Sequence, residues 1–179
     1  MAQENTKNDN FRREALPFLD PLWQTALWLT GNEPDAERLV EDAFIEAFRV
    51  WDESVSGANC KLLMFKIMIG KFLSRGKLSF QFPVPIKIDD NFFTFPIDKI
   101  SNIQSIPGEI ISKAIKRLTP ENRLVFILSV FEKFTYPEIA EIIGVRRKIV
   151  RLRIYQGYTL IRKEILDYIT AGSMSMSVV

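Results

Sequence analysis

Five cations crowd into eight residues, Arg146, Arg147, Lys148, Arg151 and Arg153. The chemistry open to such a cluster is recognition, because guanidinium and ammonium groups hold phosphate but break no bonds. A second row, Lys61, Lys66, Lys71 and Arg75, interleaves with Phe65 and Phe72. Charge alternating with aromatic faces suits a nucleic-acid strand, although phenylalanines at this spacing more often belong to a core. The chain has no histidine, which removes imidazole bases and most zinc sites. It also lacks a glycine-rich phosphate loop and a convincing catalytic carboxylate pair. The expectation is a binding protein with no catalytic residue, no metal and no cofactor.

The elements that must position the first cluster are legible around it. Thr135 and Glu138 stand three apart, as a capping box requires. Ile139, Ala140 and Ile143 then form an apolar face, and Gly144 sits where a helix must stop. Beyond it, Val150, Ile154, Tyr158, Ile161 and Ile165 recur at steps of three and four, one buried stripe on a long helix. At about 100° per residue, Lys148, Leu152, Tyr155 and Gln156 point away from that stripe, and Arg151 and Arg153 flank it. Cations at a helix N-terminus oppose its dipole, and a phosphate there relieves the conflict. The pattern predicts a helix-turn-helix, with a plain basic helix of a bundle as the alternative.

Charge is unevenly spread along the 179 residues. Residues 1–56 hold five Lys/Arg against twelve Asp/Glu, 57–107 seven against three, and 108–179 twelve against seven. An acidic front and a basic back imply two different partners. A single cysteine, Cys60, allows no internal disulfide and fits a reducing, cytoplasmic compartment. No apolar run approaches the ~20 residues of a membrane span, so no membrane insertion is expected.

Helical spacing from Phe11 to Thr30 carries breaks near Pro17 and Pro21, and Thr30, Gly31 and Asn32 end that helix. Asn32 caps the next, whose Ala36, Leu39, Val40, Ala43, Phe44, Ala47, Phe48 and Trp51 make the cleanest stripe in the chain. Residues 54–59 read as a loop and 61–73 as an apolar helix. Four prolines and five phenylalanines in 78–107 predict a linker that docks on something, or a short hairpin. Residues 110–118 read as a basic amphipathic helix. Thr119 and Pro120 open the next, with Leu124, Ile127, Leu128 and Phe131 facing inward. Residues 1–9 and the last nine read as disordered or frayed ends.

Both halves then resemble one family. Leu118-Thr119-Pro120-Glu121, Tyr136, Glu138-Ile139-Ala140-Glu141-Ile142, Gly144, Val150 and Arg153 are similar to the fourth region of bacterial sigma factors. Leu29-Thr30-Gly31, Asp35-Ala36-Glu37, Leu39-Val40 and Phe44 resemble the second region. Two such domains and a linker are the plan of the extracytoplasmic-function group. The resemblance implies an all-α protein with a second-region bundle over 10–77, a linker over 78–107, a fourth-region helix-turn-helix over 108–170 and a flexible tail over 171–179. It implies core RNA polymerase and promoter DNA as partners, with an anti-sigma protein as an inhibitor. It puts polymerase contacts on Arg38, Glu41, Asp42 and Ile45, and promoter melting on Asn59, Lys61, Lys66, Lys71 and Arg75. DNA contacts fall on Arg146, Arg147, Lys148, Arg151, Leu152, Arg153, Tyr155 and Gln156. Arg146 and Arg147 are expected on phosphate, and Arg151 and Arg153 on base edges.

The chain departs from the family pattern in places. Arg146-Arg147-Lys148-Ile149 stands where the family often has Pro-x-Gly-Thr, and Leu152 where a small polar residue is common. Arg38 replaces a usual acid, Gly70 a frequent asparagine, and Lys61-Leu62-Leu63-Met64-Phe65 lacks the usual tryptophan. Two alternatives stay open, a sigma-like mimic that binds polymerase or an anti-sigma protein without initiating, and a stand-alone helix-turn-helix regulator.

Overall fold

The computed structural model describes residues 2–52, 55, 57–76 and 107–175, and all regular structure among them is helical. The front bundle holds α1 (Ala2–Ala15), one turn of 3-10 helix (Leu16–Phe18), α2 (Leu19–Thr30), α3 (Glu33–Arg49) and α4 (Gly57–Arg75). Pro17 lacks the donor that an α-helix needs, and the helix breaks there. Pro21 falls in the first turn of α2, where no donor is required, and causes no break. Gly31 closes α2 at φ +77°. The Asn32 side chain then accepts the Asp35 N–H at 2.9 Å and starts α3.

Two expectations about this half are corrected. Helix α1 begins at Ala2, although residues 1–9 read as disordered. Phe11 is buried edge-on against Phe48 and Trp51 at 5.2 and 5.1 Å, and the Lys7 ammonium lies 5.1 Å over the Phe48 ring. A helix anchored at Phe11 extends toward its N-terminus at small cost per residue. Helix α4 begins at Gly57, so Asn59 lies in its first turn and not in a loop. The Gly57 N–H donates to a Glu14 carboxylate oxygen at 3.2 Å, which satisfies one of the free donors of that helix start. One turn on, the Cys60 thiol donates to the Glu14 carbonyl at 3.3 Å. Burial, with the Glu14 charge, pushes its pKa up to about 11.

The back bundle holds α5 (Gly108–Lys116), α6 (Pro120–Val130), α7 (Tyr136–Ile143) and α8 (Arg147–Ser175). The Thr119 hydroxyl accepts the Asn122 N–H at 3.4 Å. Arg123, which the sequence does not single out, donates to the carbonyls of Ile115, Lys116 and Leu118 at 3.2, 2.7 and 3.1 Å and so closes α5. Leu124, Ile127 and Leu128 are buried as expected, but Phe131 is 48% exposed. Helix α6 stops at Val130, and Phe131 swings out to the rim of a cleft shared with Thr25 and Lys61. Helix α8 runs to Ser175, past the residue where a flexible tail is expected, because extending a formed helix is cheap. The expectations for residues 78–106 lie outside the described residues.

Helices α5, α6 and α7 all pack on α8, while α2 and α4 pack on α3. The halves also touch, α4 against α7 and α2 against α6. Their buried residues form one continuous cluster.

Candidate nucleic-acid interface

The turn before α8 is built as its residues dictate. The Thr135 hydroxyl accepts the Glu138 N–H at 3.5 Å, and the Glu138 carboxylate accepts the Thr135 hydroxyl and N–H, each at 2.7 Å. The hydroxyl bond, then the amide bond, holds the Glu138 pKa below the usual carboxylate range. Gly144 takes φ +77°, where a β-carbon would be strained, and its N–H donates to the Ala140 carbonyl at 3.0 Å. The chain then reverses into α8, and the Arg146 carbonyl accepts the Ile149 N–H at 2.8 Å as the first bond of the new helix. Val150, Ile154, Tyr158, Ile161 and Ile165 are all buried along one side. Burial pushes the Tyr158 hydroxyl up to about 12.

Arg146, Arg147 and Lys148 are exposed together at this helix start. None of the three makes an ion pair among the described residues. Arg151 is half-buried beside Tyr136, whose pKa burial raises against the pull of the Arg151 charge. Tyr155 and Gln156 are half-buried, and the Gln156 carbonyl oxygen is covered without a hydrogen-bond partner.

Leu152 and Arg153 depart from expectation. Each is only 5% exposed. The Arg153 guanidinium donates to the Asn122 side-chain oxygen at 3.3 Å, across to the first turn of α6. Helix α8 packs against α6 along this side, with the Gly157 backbone facing the Phe126 ring four residues on, and the Arg153 flank is covered with it. In this structure Arg153 is a cross-brace of the bundle and not a base reader. Leu152, an apolar side chain off the main stripe, is likewise withdrawn from water and not presented outward. No local spacing signals this burial, which arises where two helices meet.

The second basic row lies along α4, and each of its four cations meets a carboxylate. Lys61 donates to the Glu132 carboxylate at 3.2 Å and to its carbonyl at 2.7 Å. Lys66 pairs with Glu141 at 2.9 Å, Lys71 with Glu46 at 3.7 Å, and Arg75 with Asp42. Phe65 is buried and Phe72 partly so, packed in the core and not displayed as stacking surfaces. Asn59 is exposed at the start of the helix.

On α3, Arg38 and Glu41 are exposed, Asp42 is held by Arg75, and Ile45 is 67% exposed amid acids. The outward direction of this face was legible in the spacing, but the pairing of its acids with α4 was not. Among the described residues no helix is long and apolar enough to cross a membrane.

Comparison with known proteins follows the same division. The family described as Sigma-70, region 4 matches residues 108–161. The extracytoplasmic-function RNA polymerase sigma factor SigE of Mycolicibacterium smegmatis is 27% identical over 162 residues, covering 86% of this chain. The chain spans 59% of the length of that relative. A solved structure of the sigma factor RpoE of Bartonella quintana, in complex with the anti-sigma factor NepR, superposes with a TM-score of 0.63. It is 23% identical and covers 87% of this chain and 96% of its own, so it speaks for the all-helical fold. With the helix-turn-helix geometry of α7 and α8, these matches make residues 108–161 similar to the fourth region of sigma-70 factors, and the chain as a whole similar to an extracytoplasmic-function sigma factor.

Proposed function

We propose that the chain binds core RNA polymerase and directs it to promoter DNA, supplying recognition and no catalytic group of its own. The observation that carries this reading is the exposed trio Arg146, Arg147 and Lys148 at the start of α8, behind a capped α7 and a left-handed Gly144. Three cations on the positive end of a helix dipole repel one another and the dipole, and phosphate oxygens relieve both. Arg146 and Arg147 take backbone phosphate, and Lys148 and Arg151 reach base edges, with Tyr155 and Gln156 alongside. The face of Arg38, Glu41, Asp42 and Ile45 docks on the polymerase, where an exposed isoleucine ringed by charge makes an anchor. Asn59, Lys61, Lys66, Lys71 and Arg75 receive the opened promoter strand. An anti-sigma protein is the natural inhibitory partner, and the site of action is the cytoplasm.

Run-off transcription with purified core polymerase tests the reading, with a transcript expected only when this chain is present. Glu41→Lys with Asp42→Lys should weaken polymerase capture by about tenfold or more while the fold survives, because exposed pairs contribute only about 0–1 kcal/mol. Unchanged capture would remove the α3 face. A specific observation favours the competing reading of a non-initiating mimic, namely that all four α4 cations already hold carboxylates. A mimic would capture polymerase and give no transcript.

A further inference from the structure

The cleft between α2 and the corner of α5 and α6 holds about 560 Å³, within the ~300–1,000 Å³ usual for small-molecule sites. Leu27 and Trp28 of α2 form an apolar wall, and Gln24 adds an amide. From the other side come the Ser112 hydroxyl, the Lys116 ammonium and the Arg123 guanidinium. No carboxylate lines this cleft among the described residues.

The half-buried Arg123 is fixed before any ligand arrives. Its Nε–H donates to the Ile115 carbonyl at 3.2 Å, and its Nη2 donates to the carbonyls of Lys116 and Leu118 at 2.7 and 3.1 Å. Those bonds hold the plane of the guanidinium and leave the Nη1 donors without an acceptor among the described residues. No carboxylate pairs with Arg123 there, and burial pulls its pKa below the usual value. The carbonyl dipoles offset part of its charge, and an anion would offset the rest. Lys116, in the last turn of α5, is exposed and makes no ion pair among the described residues.

The adjoining cleft has the opposite balance. It shares Gln24 and Trp28, but Asp20 and Glu132 stand in its walls, and Glu132 already holds Lys61. An anion is repelled there and attracted beside Arg123. We propose that the cleft between α2, α5 and α6 binds a small aromatic carboxylate, with its ring on Trp28 and Leu27 and its oxygens on Arg123 Nη1 and Lys116. Ring contact with the indole adds to apolar burial, and a guanidinium already held in place costs little to order on binding. The site is independent of the function proposed above.

The test is titration calorimetry on the full chain, with 2-naphthoate and its neutral isostere 2-naphthamide as probes. Naphthoate should bind one-to-one at submillimolar concentration, and naphthamide about tenfold or more weakly. Removing Arg123 would also release the end of α5, so Lys116 carries the charge test. Lys116→Gln, an exposed change that spares the fold, should weaken naphthoate about fivefold, toward the affinity of naphthamide. Lys163→Gln, which removes an exposed cation of α8 outside the cleft, should change nothing. Trp28→Leu should weaken both probes, and Lys116→Gln covers the case in which that variant fails to fold. No binding by the wild type, equal affinity for acid and amide, or equal losses from Lys116→Gln and Lys163→Gln would each overturn the site. So would naphthoate binding that survives a folded Trp28→Leu unchanged.

Discussion

Two basic surfaces of similar size have opposite surroundings in this protein. At the start of α8, Arg146, Arg147 and Lys148 stand in solvent with no carboxylate paired to them among the described residues. Along α4, Lys61, Lys66, Lys71 and Arg75 are each held by Glu132, Glu141, Glu46 or Asp42. Composition does not separate the two, because both are short cationic runs on helices. What separates them is whether tertiary packing brings an acid within reach. The first surface can meet a polyanion at once. The second must first give up a partner, so its affinity is lowered by the energy of the pairs it breaks.

The largest effect that sharpens this contrast is on binding to duplex DNA. Replacing Arg146, Arg147 and Lys148 by alanine should reduce the dependence of log affinity on log salt by about 0.9 for each phosphate no longer neutralised. The same treatment of Lys61, Lys66, Lys71 and Arg75 should barely change it. Equal reductions from both sets, measured by anisotropy across a salt series, would erase the distinction.

Next comes the turn that presents the free surface. Gly144→Val puts a β-branched residue at φ +77°, at about 1–3 kcal/mol. Thermal melting should fall and duplex binding should weaken with it. A variant that melts and binds like the parent would mean that the turn does not set the pose of α8.

Arg153 offers a comparison within one helix. Arg153→Met leaves the buried Asn122 oxygen without its donor, for about 1–3 kcal/mol of stability, yet the salt slope of DNA binding should hold. Arg147→Ala should do the reverse. A slope that drops with Arg153→Met would return that residue to the DNA-facing set.

The smallest effect tests the cap beneath the same surface. Glu138 has a lowered pKa in the folded state. It therefore adds stability above its unfolded pKa and loses it as pH falls through the folded value. Glu138→Gln should melt earlier than the parent near neutral pH, by about 0.5–2 kcal/mol. In acid, below both pKa values, the two curves should converge. A gap that persists in acid would show that the carboxylate charge is not what the cap uses.

What the sequence made legible was local. The Thr135–Glu138 box, the stop at Gly144 and the stripe from Val150 to Ile165 are each fixed by residues within a few turns, and spacing displays them. The face of α3 was readable for the same reason. Arg153 was not, because its burial depends on how α8 packs on α6, a contact between helices. Phe131 failed likewise, since its helix ends one residue before it. The acids that occupy α4 come from 25 to 75 residues away in sequence, as with Glu46 to Lys71 and Lys66 to Glu141, and no periodicity carries such a pairing. The first part of helix α1 was missed because polar residues gave no stripe, while the groups that hold the helix, Phe11, Glu14 and Ala15, lie farther along it.

Cys60 gives the molecule a built-in reporter. Its thiol faces the Glu14 carbonyl at the junction of α1 and α4, fully covered. With its pKa at about 11, little reactive thiolate is present near neutrality. Alkylating reagents and peroxides therefore reach it chiefly when α1 lifts from α4. The rate of its modification counts those excursions, in an unmutated chain that carries no second thiol to confuse the signal.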